Sequence, residues 1–203
     1  MLDRIEILIE EPSMEEVLRI LLPIILPDGW MLDYNCFVRT HEGKQDLQRS
    51  LPNKISSAAK RDIKIGYIVL QDQDSSDCIS LKNKLLAICN NAIPDGLDVY
   101  FKVRIVCHEL EAWYLGDMDA IEKAFPQFHA VKHRNKKIFR NPDLCVNPKN
   151  ELKKILGDYP QIATARRIAS NMVVDNNRSQ SFHCFVEALL SMASIKQLNT
   201  HQQ

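Results

Sequence analysis

The sequence carries no net charge: Lys+Arg and Asp+Glu each total 26 in 203 residues. It therefore lacks the bulk cationic character of a protein that coats nucleic acid, and any such contact has to come from a local basic patch. None of its six cysteines forms a C-x-x-C pair, so the spacing fits neither a zinc module nor a disulfide scaffold. Reduced thiols in a cytoplasmic protein are the expectation. The longest apolar run, residues 20–26, is too short to span a bilayer and contains Pro23, so no membrane partner is expected. The opening residues show no signal-peptide pattern. Neither an internal repeat nor a glycine-rich phosphate loop of the P-loop or dinucleotide type is found.

What is present is ordinary globular material. Hydrophobic residues make up 45% and charged residues 26%, enough to bury a core in a chain of this length without staples. Arg4 to Ile9 is rich in β-branched residues and reads as a strand. Ser13 and Glu16 form a capping-box pattern, followed by Val17, Leu18, Leu21, Leu22 and Ile25 at helical spacing. Tyr34 to Thr40 is a second strand, and Leu47, Leu51, Ile55 and Ala58 mark a helix that Pro52 should kink or split. Ile65 to Leu70 is almost wholly apolar, as in a strand buried on both faces of a parallel sheet. Ser75 and Ser76 can cap the next helix, and alternation from Val99 to Ile105 gives a fourth strand with Lys102 and Arg104 on a polar face. Strands alternating with helices imply a parallel sheet.

The second half reads as helical. Asp119 with Glu122, Asn147 before Pro148, and the stretches 150–156, 161–172 and 179–192 mark its helices. The organisation expected is an α/β core over residues 1–115, a helical extension over 116–194 packed on it, and a frayed tail at 195–203.

In a parallel sheet, ligands bind beyond the carboxyl ends of the strands. All four predicted strands end in polar groups: Glu10 and Glu11, then His41, Glu42 and Lys44, then Asp72 and Asp74, then Glu109 and Glu111. Carboxylates gathered at one rim raise each other's pKa unless a cation lies among them. Mg²⁺ suits such a site, since it takes hard oxygen ligands, usually one or two carboxylates with waters and phosphates. If the chain stays extended through Gln73, Asp72 and Asp74 converge on one ion. The plainer alternative for each acid is a helix cap or a solvated loop. In His41-Glu42-Gly43-Lys44, Gly43 lets the backbone approach a phosphate, Lys44 supplies charge, and His41 holds a water or leaving oxygen. An exposed loop is the plainer alternative there.

Lys132, Arg134, Lys136, Lys137 and Arg140 form a basic run with His133 and Phe139 interspersed. That mixture suits phosphate neutralisation with aromatic stacking, although a solvated loop has the same composition. Arg166, Arg167 and Arg178 add to the patch. Trp113 and Tyr114 read as core.

Five segments together resemble a known family: 7–13, 41–44, Asp72-Gln73-Asp74, 109–117 and 177–182. The sequence resembles Toprim-like proteins, and most closely the bacterial family called domain of unknown function 4276. The resemblance implies an α/β fold with a parallel four-stranded sheet. It also implies a Glu after the first strand that works as general acid or base, and a later Asp-x-Asp that binds Mg²⁺ or Mn²⁺. Glu10 matches the first, and Asp72 with Asp74 the second. Glu11 stands where many Toprim sequences carry Gly. By looser analogy, Glu109 and Glu111 would serve a second metal. Toprim domains occur in topoisomerases, primases and nucleases that accompany ATPases in phage defence. The function expected is thus a metal-dependent phosphodiesterase acting on nucleic acid. A regulatory subunit of an ATPase complex and a nucleotide-binding protein are the alternatives.

Overall fold

The computed structural model describes residues 2–195, so the expected tail lies, from residue 196 on, outside the described residues. Four strands form one parallel sheet in the order β2-β1-β3-β4. They are β1 (Arg4–Ile9), β2 (Cys36–Thr40), β3 (Ile65–Asp72) and β4 (Tyr100–Val106). Three helices connect them: α1 (Pro12–Ile25), α2 (Lys44–Ala58) and α3 (Cys78–Asn90). The α/β reading is therefore correct, and the strand boundaries differ from those expected by two residues at most.

Alternation along the strands divides the core in two. Ile5, Ile7 and Ile9 of β1 face α1, whereas Leu8, Val69 and Val103 face Leu47, Leu51 and Ile55 of α2 and Leu81 and Leu85 of α3. Every residue of β3 is buried, the nearly apolar run 65–70 together with Gln71 and Asp72. The remaining helices are α4 (Glu111–Gly116), α5 (Met118–Ala124), α6 (Ala130–Arg134), α7 (Pro148–Leu156), α8 (Gln161–Ala169) and α9 (Gln180–Ser194). They join the α1 side of the core: Trp113, Ile168, Phe182 and Phe185 belong to the same buried cluster as Ile7 and Leu18. Trp113 is fully buried, packs edge-on against Phe182, and donates its indole N–H to Ser181 Oγ at 3.0 Å. Tyr114 is buried too, as expected.

Helix α9 crosses the sheet over Gly66 of β3, where a Cβ would lie 2.7 Å from Met192 Sδ. This helix covers the face expected to be polar. Lys102 Nζ donates to Ser191 Oγ at 2.8 Å, and Arg104 Nε donates to the Cys184 carbonyl at 2.9 Å.

Three helix starts differ from expectation for local reasons. Pro12 occupies the first turn of α1, which makes Glu11 the N-cap and puts Ser13 inside the helix, with its hydroxyl on Glu11. Glu16 instead pairs with Arg166 of α8. Helix α3 is capped by Asp77, which accepts the Ser80 N–H, and not by Ser75 or Ser76. Helix α5 is capped by Asp117 in place of Asp119. Pro52 does not split α2, which runs unbroken from Lys44 to Ala58.

Candidate metal centre at the carboxyl ends of the strands

The strand order places a crevice. From β1 the chain passes over one face through α1 to β2 on one side, then over the other face through α2 to β3 on the opposite side. The two crossovers diverge between β1 and β3, the position where parallel sheets open to ligands. Glu10 leaves the end of β1 there, and Asp72 is the last residue of β3.

Both side chains are buried, Glu10 at 9% exposure and Asp72 at 6%. Each has one carboxylate oxygen, Glu10 Oε2 and Asp72 Oδ1, that is buried and has no hydrogen-bond partner. Burial pushes the Glu10 carboxyl up to about 7, and the nearby charges of Asp74 and Glu11 act in the same direction. The Asp72 backbone N–H and Lys44 oppose the rise. Burial, followed by the charges of Glu10, Glu11 and Glu111, holds Asp72 well above the usual carboxylate range. Its Oδ2 accepts the Leu110 N–H at 3.2 Å.

Asp74 does not continue the strand. Its φ is +52°, and its N–H donates to the His108 carbonyl at 2.8 Å. The extended geometry expected to aim Asp72 and Asp74 at one point is therefore broken at Asp74. The left-handed turn leaves its carboxylate half-exposed and paired with Lys44 Nζ at 2.9 Å. The charge of Asp74 acts on Glu10, and that of Glu10 acts on Asp72.

Glu111 opens α4 and is also buried. Its pKa is pushed up to about 7, first by burial, then by Glu109 and Glu11, while its own backbone N–H and Lys149 oppose. Glu111 Oε1 accepts the Tyr159 hydroxyl at 3.1 Å, and Glu109 Oε2 accepts the Lys149 N–H at 3.3 Å. The acidic pair thus adjoins the Asp72 side of the crevice, tied down by residues of the helical half. Glu11, read in the sequence as a strand-end acid and as a departure from Gly, lies among these acids and raises all three buried members.

His41 plays a different part from the one expected. Its Nδ1 lies 2.9 Å from the Ile9 carbonyl and its Nε2 lies 2.9 Å from Ser50 Oγ, so both ring nitrogens are engaged. The ring ties the end of β1 to α2. Gly43 has φ +86° and ψ 176°, a conformation essentially restricted to glycine. Its N–H donates to the Glu10 carbonyl at 3.0 Å, which sets the start of α2, and with it Lys44, over the crevice.

Of the basic run, Lys132, Lys136, Lys137 and Arg140 are exposed, and Arg134 is paired with Asp119. Arg178 donates to the Leu115 carbonyl. Phe139 is only 2% exposed and packs with His133, which stacks on Phe128. Phe128 and Phe139 therefore belong to the main core, and Phe139 offers no exposed ring for the expected stacking. Arg166 pairs with Glu16, and Arg167 lies over the Phe125 ring, so neither extends the patch freely.

Among the described residues, no group of three or more His, Cys, Asp or Glu side chains already stands in an arrangement that would close on one ion. Mg²⁺ and Mn²⁺ do not require one, because they retain waters and substrate oxygens and need only one or two carboxylates. The two unpartnered oxygens and the all-oxygen donor set fit such a cation. Glu10 and Asp72 would hold it, with Asp74 and Glu111 near enough to act on them electrostatically.

Among the described residues, no helix is long and apolar enough to cross a membrane. All six cysteines are free. No curated protein and no solved structure matches the chain. One family model does, a domain of unknown function (DUF4276), over residues 9–190. That span covers most of the sequence and every acid of the crevice, and the chain belongs to the DUF4276 family.

Proposed function

We propose that this protein is a Mg²⁺- or Mn²⁺-dependent phosphodiesterase acting on nucleic acid. The observation that carries the reading is the pair of buried, unpartnered carboxylate oxygens at the ends of adjacent parallel strands, Glu10 Oε2 and Asp72 Oδ1. Burying a polar atom without a partner costs on the order of 1–3 kcal/mol, more if it is charged. Evolution tolerates such a cost at sites where a ligand removes it. The order of the acids, a Glu after the first strand and an Asp-x-Asp after a later one, is what relates the chain to Toprim nucleases in this reading.

A divalent cation at the crevice would supply Lewis-acid charge at a phosphoryl oxygen. The chain's own groups divide the remaining work. Glu10 would either hold the cation with Asp72 or, left free of it, take up or release a proton at the reacting oxygen. Lys44 brings a half-exposed ammonium to the mouth of the crevice, where it can meet charge on a transferring phosphoryl group once Asp74 yields it. His41 acts through position, by fixing the end of β1 against α2. Glu109 and Glu111 would serve a second cation, which would let nucleophile and leaving group be activated separately.

The decisive variant is Asp72→Asn, which keeps the shape and removes the charge. It should abolish Mn²⁺-dependent cleavage of DNA and RNA substrates while the circular-dichroism spectrum stays that of the wild type. Full activity in a folded Asp72→Asn protein would refute the assignment.

A further inference from the structure

A second opening lies beside the acidic crevice, between α2 and α3 over the end of β3. It has a volume of about 390 Å³ and is lined by Lys44, Gln45, Gln48, Gln71, Leu81 and Lys84 among others. Lys44 belongs to both places: it borders this cavity, and its Nζ holds Asp74. Gln71 immediately precedes Asp72 in β3. The cavity and the crevice therefore share a wall.

The lining is polar but well ordered. Lys84 Nζ donates to Gln48 Oε1 at 2.8 Å, and Gln48 Nε2 donates to Oε1 of the buried Gln71 at 2.9 Å. This relay fixes the Gln48 amide at both ends and links an exposed ammonium to the interior of the sheet. Asp77, the one acid in the lining, is engaged in capping α3. The cavity thus presents two lysines, the exposed amide of Gln45 and an apolar wall from Leu81, with its acid turned to the helix end.

We infer that this cavity receives one unpaired nucleotide of the substrate, so that the protein selects single-stranded nucleic acid. The inference rests on the phosphodiesterase reading and specifies its substrate class. The volume falls in the range of small-ligand pockets, on the order of 300–1,000 Å³, which suits a nucleoside but not a stacked base pair. A base in a duplex would have to leave its stack to enter, at a cost that a single strand avoids. Ammonium groups suit the phosphates on either side of the base, and amides suit the polar edge of the base itself. Lys44 places the phosphate on one side of the bound nucleotide toward Glu10 and Asp72.

The test is fluorescence anisotropy with an end-labelled single-stranded oligonucleotide and with the matching blunt duplex, in EDTA, across a salt series. Wild-type protein should bind the single strand several-fold more tightly than the duplex. Lys84→Ala should lose that preference, and its salt dependence should fall by about one phosphate contact. Lys84 is exposed, so the variant should fold, and an unchanged melting temperature checks this. Equal affinity for the duplex, no binding of either form, or wild-type binding by Lys84→Ala would each overturn the inference. A preserved strand preference with no Mn²⁺-dependent stabilisation would instead sink the metal reading and leave the cavity as a nucleotide site.

Discussion

The Tyr159 hydroxyl donates to Glu111 Oε1 at 3.1 Å across 48 residues of sequence, which anchors the helical half of the chain to the acidic end of the sheet. The bond is partly buried. Burial and the adjoining Glu111 charge raise the Tyr159 pKa far above the ordinary value, so the hydroxyl remains a donor at any working pH.

Tyr159→Phe should therefore destabilise the fold by roughly 1 kcal/mol, the usual net worth of one hydrogen bond. Urea unfolding at neutral pH measures it. An unchanged midpoint would show that water replaces the phenol and that the tie is not structural.

The buried acids set a pH dependence opposite to that of an ordinary paired carboxylate. Glu10 and Glu111 rise from ordinary values of 4.5 to about 7. Between those values the folded state binds more protons than the unfolded chain, so these two groups make stability fall as pH rises; Asp72, also raised by burial, acts in the same direction, and His133, lowered by burial, acts against them. Glu10 and Glu111 each account for on the order of 3 kcal/mol at most across the window. Glu16, held low by Arg166, has its effect below pH 4.5 and lies outside it. A cation favours the ionised acids, so Mn²⁺ should raise the melting temperature more at pH 8 than at pH 5. Thermal melts of metal-free protein that rise steadily from pH 5 to pH 8 would contradict the account.

Gly43→Ala should cost roughly 1–3 kcal/mol, because its φ of +86° with ψ of 176° excludes a side chain. The space beyond is open, with nothing within 4 Å of where a Cβ would stand, so the penalty is conformational and not steric. Relaxing it displaces the N–H that meets the Glu10 carbonyl and the Lys44 that follows. Cleavage should fall more than stability does, and a variant with intact activity would show that Lys44 reaches its place by other contacts.

Gly116→Ala tests close approach in place of backbone freedom. A Cβ there would collide with Asn177 Oδ1. Asn177 donates to the Trp113 carbonyl at 2.9 Å and accepts the Ser179 N–H at 2.9 Å, so it cannot yield without freeing the start of α9. A loss of about 2 kcal/mol or more is expected by chemical denaturation. A loss near zero would mean that the Asn177 side chain can rotate away.

The strands and their acidic rim can be read from the order of residues alone. Apolar runs of strand length, separated by helical spacing, admit little besides parallel strands with crossovers, and acids that follow those runs must then collect at the carboxyl ends. Glu10, Asp72 and Glu111 were legible for that reason. Which acids are buried and unpartnered depends on packing in three dimensions, because desolvation follows from what covers a residue and not from its neighbours in sequence. Packing turned Asp74 outward through a left-handed residue and engaged His41 at both nitrogens. It drew Phe139 into the main core and brought Tyr159 and Lys149 to the acidic pair from forty or more positions away. No local pattern encodes those meetings. Those of Phe139, Tyr159 and Lys149 follow from how the helices of the second half pack on the α1 face of the sheet, whereas that of His41 is made by α2 on the other face.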